Sequence, residues 1–122
     1  MLETMKLAHA KRLGTQGFTR TLDFDLAKLI EEVGELAIEI QINQDRLPQS
    51  KGGEDGIVGE AVDVVNVALD IAFIAMTNDC DMTVEEMAET LRLISARKLA
   101  RWEEKVSLLD SNNNLRANNE TE

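Results

Sequence analysis

Apolar residues recur at helical spacing through most of the chain. Between Asp25 and about Gln44 they form one stripe, which predicts a long amphipathic helix. This stripe comprises Leu26, Leu29, Ile30, Val33, Leu36, Ala37 and Ile40. A shorter helix is predicted over Leu2 to Leu13, and it ends near Gly14 and Gly17, where the backbone can turn.

A third helix, predicted from about Ile57 to Thr77, is apolar on two sides. At about 100° of rotation per residue, one set of apolar side chains points one way and a second set points nearly opposite. The first set is Val64, Val67, Ile71 and Ile74, and the second is Val62, Val65, Leu69, Phe73 and Met76. Such a helix must be covered on both faces, and three other helices are few to surround it. We therefore expect a homo-oligomer.

The remaining segments predict a loop, a fourth helix and a tail. The stretch 45–55 holds the only proline and two adjacent glycines, which favours a loop. Thr83 can cap a fourth helix, with Glu86 completing a capping box, and this helix is predicted to continue to about Leu108. The polar segment 109–122 has too little apolar surface to offset the entropy of ordering it. We expect a four-helix all-α domain over residues 1–108 and a disordered C-terminal tail.

Composition and charge narrow the class of protein. Only three Phe, one Trp and no Tyr accompany the abundant aliphatic residues, which favours packed helices over a β-sandwich. A net charge of −10 argues against a sequence-tolerant grip on nucleic acid, because such binding needs a basic surface. Cys80 is the only cysteine, and the apolar run Ala61–Met76 is too short to span a bilayer. We expect a protein of the reduced cytoplasm that binds neither nucleic acid nor membrane.

Two pairs of carboxylates occupy corresponding positions on two helices. Glu32 and Glu35 lie one helical turn apart on the second helix, and Glu60 and Asp63 repeat that spacing on the third. Glu60 falls among apolar positions, and burying an ionised carboxylate costs several kcal/mol unless it is paired or bound to a metal. Two antiparallel helices would therefore present four oxygen ligands to one cation.

The donor atoms indicate which ion would bind. A site made of carboxylates, with the single His9 distant in sequence, suits Mg²⁺ or Mn²⁺. A di-iron site is disfavoured, because neither Glu-rich segment has a histidine three residues on. A solvated helix surface is the alternative for Glu32 and Glu35, and a capped or salt-bridged structural charge is the alternative for Glu60 and Asp63. Both alternatives stay open at this point.

Two short segments resemble a known family. They read EEVGEL at Glu31–Leu36 and GEAVDVV at Gly59–Val65, and together they look like the E-x-x-E and E-x-x-D signature of MazG-like nucleotide pyrophosphohydrolases, relatives of the dimeric dUTPases. The resemblance covers about residues 1–105, and it rests on the order of the motifs, their separation and the flanking apolar pattern. It implies an all-α homodimer or homotetramer that uses Mg²⁺ to hydrolyse an NTP or dNTP to the monophosphate and pyrophosphate.

The resemblance also implies roles for individual residues. The positions that match the family's metal ligands are Glu32, Glu35, Glu60 and Asp63. Glu35 is our candidate for accepting the proton of the attacking water. The candidate substrate-binding residues are Lys98, Arg101, Trp102, Phe18 and Asn66. A solvated helix end is the alternative for the residues of the fourth helix, and an ordinary core position is the alternative for Phe18.

Three functions are weighed on this basis. The first is a pyrophosphohydrolase that acts on an ordinary or non-canonical nucleoside triphosphate. The second, within the same fold, is phosphoribosyl-ATP pyrophosphohydrolase. The third is a non-catalytic helical oligomer that serves as an interaction or regulatory module, with structural carboxylates. Stabilisation of the folded protein by a metal ion would distinguish the third function from the first two.

Overall fold

The fold is all-helical, as the sequence predicted. The computed structural model describes the backbone of residues 1–14, 20–79 and 81–120, and the side chains of 1–10, 20–77 and 81–118. Within these ranges there is no β-strand. The elements are α1 (Leu2–Gly14), α2 (Leu22–Asn43), a 3₁₀ turn (Gln49–Lys51), α3 (Gly56–Asp79) and α4 (Val84–Glu120). Two residues considered above, Phe18 and Cys80, lie outside the described ranges.

Two of the helices begin at capping threonines. The hydroxyl of Thr21 accepts a 3.1 Å hydrogen bond from the backbone N–H of Phe24, at the start of α2. At the start of α4 the Thr83 hydroxyl accepts from the Glu86 N–H at 3.1 Å, and the Glu86 carboxylate accepts from the Thr83 N–H at 3.4 Å. These reciprocal bonds satisfy donors that the first turn leaves unpaired. The predicted capping box is confirmed.

Helix α3 packs against both α1 and α2. The pairing of α2 with α3 is antiparallel, because Asp25 near the start of α2 interacts with Asp70, whereas Glu32 further along lies beside Asp63. The antiparallel arrangement follows from the short connection between the two helices. The buried apolar residues belong to α1, the end of α2, α3 and the start of α4: Met5, Ala8, Ile42, Phe73, Ile74 and Met87.

Helix α2 buries polar residues and exposes apolar ones. Its buried residues are Asp25, Glu32, Glu39 and Ile42. The stripe predicted from the sequence lies mostly on the outside, with Ile30 65% exposed. The other exposed apolar residues of this helix are Leu22, Phe24, Leu26, Val33, Ile38 and Ile40. The acidic side of α2 therefore faces its neighbour within the chain, and the apolar side does not.

The chain divides into two compact units, Met1–Met87 and Ala88–Glu122. Where the sequence predicted the end of α4 near Leu108 and a disordered tail over 109–122, the structure continues the helix to Glu120. No glycine or proline interrupts the sequence between Val84 and Glu120, so no residue there breaks the helical hydrogen bonds. All side chains from 96 to 118 are exposed. None of the described helices is long and apolar enough to cross a membrane.

Candidate metal centre

Three carboxylates from α2 and α3 meet between the two helices. Glu32, Glu60 and Asp63 each offer one oxygen, and these oxygens all lie within 4.8 Å of one another. Glu32 and Glu60 are each only 7% exposed. The Oε2 atoms of both are buried without a hydrogen-bond partner. Buried oxygens without a partner are rare in folded proteins and need an explanation.

Glu35 lies at the edge of this group. Its side chain is exposed, and it is not one of the three converging carboxylates. The negative charge of Glu32 nevertheless raises the pKa of Glu35 above its usual value, with smaller contributions from desolvation and from other acidic groups. Burial raises the pKa of Glu60 as well, followed by the charges of Glu35 and Asp63. The four carboxylates predicted from the sequence therefore form one electrostatic group, with three at its centre.

A single basic side chain borders the cluster among the described residues. Lys28 Nζ lies 3.4 Å from an Oε1 atom of both Glu32 and Glu31, and its side chain is 44% exposed. An exposed ammonium shared between two carboxylates is screened by water and contributes little. It leaves the buried oxygens of Glu32 and Glu60 without a partner. The cluster therefore lacks charge compensation at its buried side.

A second acidic pair lies further along the same two helices, and it does have a cation. Arg20 donates a 2.9 Å hydrogen bond from NH2 to Asp70 Oδ1, and its Nε lies 2.8 Å from Asp70 Oδ2. The guanidinium also donates to the backbone carbonyl of Ala8 at 3.0 Å. Burial, with the neighbouring Asp70 carboxylate, raises the pKa of Asp25 to about 6. The sequence near Asp70 contains no basic residue. Asp70 is instead paired with Arg20, which lies fifty positions away.

Asn66 lines a cavity between α1 and α3. The cavity has a volume of about 330 Å³, and its walls are formed by Thr4, Leu7, Ala8, Arg20, Asn66 and Asp70. Asn66 lies one helical turn beyond Asp63 on α3, although none of the four carboxylates lines the cavity. Asn66 itself is exposed, with Oδ1 3.5 Å from the Thr4 hydroxyl. Its amide is accessible to a ligand.

Three of the other predicted substrate-binding residues belong to the second compact unit. Lys98, Arg101 and Trp102 are exposed on α4, in the second compact unit. Trp102 is 67% exposed. Phe18 lies outside the described residues. Their roles stay predictions.

Sequence reasoning missed Glu39 as a member of this region. Glu39 is buried on α2, and its Oε1 accepts a 2.7 Å hydrogen bond from the Gly53 backbone N–H. A signal was present, because Glu39 follows Glu32 by two helical turns and therefore lies on the same face. Its loop partner was not visible, because the spacing of residues on a helix carries no information about a loop folded against it.

The donor set fits a divalent cation of the hard class. Carboxylate oxygens alone suit Mg²⁺ or Mn²⁺, and among the described residues no histidine or cysteine joins the cluster. The buried, unpartnered oxygens of Glu32 and Glu60 are the observation that the ion would explain. In the comparisons with known proteins, no family model, curated protein or solved structure matches this chain at a significant level.

Proposed function

We propose that the protein is a Mg²⁺-dependent pyrophosphohydrolase that converts an NTP or dNTP to the monophosphate and pyrophosphate. The observation that carries the proposal is the convergence of Glu32, Glu60 and Asp63 within 4.8 Å, with two buried oxygens lacking a partner. The resemblance of the two helix motifs to the MazG-like signature supplies the reaction. A cation that neutralises this cluster provides a binding point for a phosphate chain.

Each carboxylate has a role in this proposal. Glu32, Glu60 and Asp63 hold the ion from two helices. When bound, Mg²⁺, or Mn²⁺ in its place, offsets the negative charge of the phosphates and of the carboxylates and lowers the pKa of water. Glu35 is exposed to solvent and carries a raised pKa, which suits a group that accepts a proton from water.

The nucleoside part of the substrate is assigned to the cavity beside Asn66. Its volume of about 330 Å³ lies at the lower end of the range for small-molecule sites. The accessible amide of Asn66 offers both a donor and an acceptor to a base or a sugar. Because Asn66 lies one turn from Asp63, a nucleotide that fills the cavity has its phosphates near the carboxylates.

Pyrophosphate release tests the proposed reaction directly. The wild-type protein is incubated with Mg²⁺ and a panel of NTPs, dNTPs and phosphoribosyl-ATP, beside Glu60→Gln and Glu31→Gln variants. Release that requires Mg²⁺, is lost in Glu60→Gln and persists in Glu31→Gln is the expected result. Glu31 is the matched control, because it lies on α2 next to Glu32 but outside the converging group.

Other outcomes of this assay point to the alternative functions. Release from phosphoribosyl-ATP alone would replace the proposed substrate and keep the reaction type. No release from any nucleotide, together with no stabilisation by Mg²⁺ or Mn²⁺, would contradict the enzyme proposal and favour a non-catalytic helical module.

The role of Glu35 has its own test. Glu35→Ala is expected to bind Mn²⁺ with an affinity close to that of the wild type, because the three central ligands remain. Its turnover is expected to fall by about 100-fold or more, in the range of a lost general base. Full turnover in a variant that still binds metal would remove Glu35 from the mechanism.

We also propose that a second copy of the chain covers the exposed apolar side of α2, giving a homodimer or homotetramer. The supporting observation is that α2 buries Asp25, Glu32 and Glu39 and exposes most of its large apolar residues. A large apolar face left in water is unusual for a monomer, and a self-complementary patch closes by two-fold symmetry. Light scattering is expected to report an oligomer for the wild type and for Ile30→Leu, and a smaller species for Ile30→Glu.

A further inference from the structure

Glu39 is a buried carboxylate of α2 that the proposed metal centre does not use. It lies four residues after Glu35 and is 9% exposed. Its Oε1 accepts a 2.7 Å hydrogen bond from the backbone N–H of Gly53, in the loop between α2 and α3. A bond from a backbone N–H to a carboxylate is of the strong, charge-assisted kind. Glu39 therefore fixes this loop against α2.

The loop held by Glu39 lies directly beside the carboxylate cluster. A Cβ atom added to Gly53 would lie 3.7 Å from Glu60 Oε1 and 4.0 Å from Glu39 Oε1. At Gly52 an added Cβ would lie 2.9 Å from both Glu39 Oε1 and Ile42 Cδ1. The distances at Gly53 are ordinary van der Waals contacts, whereas at Gly52 a Cβ would displace the ends of the Glu39 and Ile42 side chains. The two glycines bring the loop to the edge of the proposed metal site.

The loop forms one short hydrogen-bonded unit from Pro48 onwards. The Lys51 N–H donates to the Pro48 carbonyl at 3.0 Å, and the Gly52 N–H donates to the Gln49 carbonyl at 3.1 Å. A cavity of about 410 Å³, bordered by residues of the loop and of both helices, leaves one side of this turn without packing. The bond from Gly53 to Glu39, together with the packing of the turn on α2, holds the turn and Lys51 in place.

Lys51 is the cation closest in sequence to this contact. It precedes Gly53 by two residues, so its Cα lies within about 7.6 Å of the Gly53 Cα, and its flexible side chain extends about 6 Å further. Among the described residues Lys51 is exposed and has no ion-pair partner. Lys28, the lysine that borders the cluster, already pairs with Glu31 and Glu32.

We propose that Lys51 binds the phosphate chain of the triphosphate, and that Glu39 is a positioning residue that holds the Gly52–Gly53 loop so that Lys51 faces the cluster. The inference rests on the proposed function, because it takes the ligand at the carboxylates to be a triphosphate. Four acidic groups and a triphosphate need more positive charge than one divalent ion carries. Lys51 supplies that charge from the open side of the site.

The experiment compares steady-state kinetics of pyrophosphate release with metal binding. Lys51→Gln is expected to raise KM for the triphosphate about tenfold, the effect of one lost charge-assisted contact, with kcat lowered less than about threefold. Glu39→Ala is expected to raise KM to a similar extent, and the double variant to add little, because both changes remove the same contact. The affinity for Mn²⁺ alone is expected to stay within about twofold of wild type in all three variants.

Matched variants separate positioning from general damage. Glu39→Gln keeps an oxygen that accepts from Gly53 N–H and is expected to retain most of the wild-type KM, and Lys51→Arg keeps the charge. Gly52→Ala pushes the turn away from Glu39 without a change of charge, so KM is expected to rise. Arg46→Gln removes a charge from the same connection, but Arg46 interacts with Gln41, and no change in KM is expected.

Binding of inorganic tripolyphosphate in the presence of Mn²⁺, measured by calorimetry, distinguishes a failure of the proposed reaction from a failure of the proposed phosphate contact. If the wild type has no activity but Lys51→Gln still weakens tripolyphosphate binding about tenfold, the reaction is wrong and the phosphate contact stands. If the wild type is active and Lys51→Gln changes neither KM nor tripolyphosphate binding, the inference about Lys51 is overturned. Additive effects in the double variant would overturn the role of Glu39.

Discussion

Two groups of buried and half-buried carboxylates lie between the same two helices, and their negative charges are compensated differently. Asp25 and Asp70 lie at one level of the pair, where Arg20 reaches across from the segment before α2. Glu32, Glu60 and Asp63 lie at the next level, where the cation among the described residues is Lys28, partly exposed and 3.4 Å from Glu32. Both groups contain buried carboxylate oxygens without a hydrogen-bond partner, one on Asp25 in the first group and one each on Glu32 and Glu60 in the second. In the first group the guanidinium pairs with Asp70, and burial together with the Asp70 carboxylate raises the pKa of Asp25 to about 6.

The difference separates a structural use of charge from a functional one. A buried carboxylate without a counter-charge is unfavourable, and at Asp70 the Arg20 guanidinium supplies that counter-charge. Among the described residues no guanidinium pairs with Glu32 or Glu60, although both groups belong to the same helix–helix contact. The Glu32–Glu60–Asp63 cluster has no buried cation among the described residues, while the neighbouring Asp25–Asp70 group has Arg20. This contrast makes the cluster a better candidate for binding an external cation than its residue types alone would.

Removing the internal cation should have the largest effect. Arg20→Met leaves Asp25 and Asp70 buried without their guanidinium and breaks the bond to the Ala8 carbonyl. The loss of one partner of a buried ion pair costs about 3 kcal/mol in free energy of unfolding, at the lower end of the observed range because the pair is partly exposed. Urea unfolding at pH 7 measures this value.

The double variant Arg20→Met with Asp70→Asn is the control for this prediction. It removes both charges, so most of the lost stability should return. An Arg20→Met variant as stable as the wild type would mean that the Asp25–Asp70 pair does not depend on the guanidinium, and the contrast between the two groups would disappear.

The elements that carry the metal centre were predictable because they depend on local geometry. Apolar spacing predicted α2 and α3, and the three-residue spacing within each pair put its carboxylates on one face of a helix. The position of Glu60 among apolar residues of the sequence was enough to indicate its burial. Glu35 differs from the other three, because it lies at the exposed edge of the group.

The features that the sequence did not predict depend on contacts between residues that are distant in sequence. Arg20 and Asp70 are fifty residues apart, and only the packing of α2 on α3 makes them neighbours. Glu39 was passed over because its partner is a loop N–H group, which any residue other than proline offers. The sequence also could not predict which side of α2 packs against α3. Helical periodicity separates an apolar side from an acidic side, but it does not indicate which neighbour covers either side.

A divalent cation should stabilise one group and leave the other unaffected. Mg²⁺ or Mn²⁺ at about 100 times its Kd raises the free energy of unfolding of the wild type by about 2.7 kcal/mol, measured as a rise in Tm. Glu60→Gln should abolish this response and, without metal, should raise Tm, because it removes a charge whose pKa is already raised. Asp25→Asn should keep the metal response, and a loss of the response there would show that the two groups are not independent.

The smallest effect is expected from Asp25, and it appears as a dependence on pH. The pKa of Asp25 is about 6 in the folded chain against an ordinary value of 3.8, so between these values the folded state holds more protons than the unfolded state. Stability from this group therefore falls as pH rises from about 4 to 6 and is level above that. Asp25→Asn removes this pH-dependent fall in stability. It should raise stability at pH 8 by about 1 kcal/mol, because it removes a buried charge, and the gain is limited because the amide gives up part of the hydrogen bonding at this position. Unfolding of both proteins is measured from pH 4 to 8, and the difference between the two curves isolates Asp25. Parallel curves would mean that neither burial nor the Asp70 carboxylate raises the pKa of Asp25.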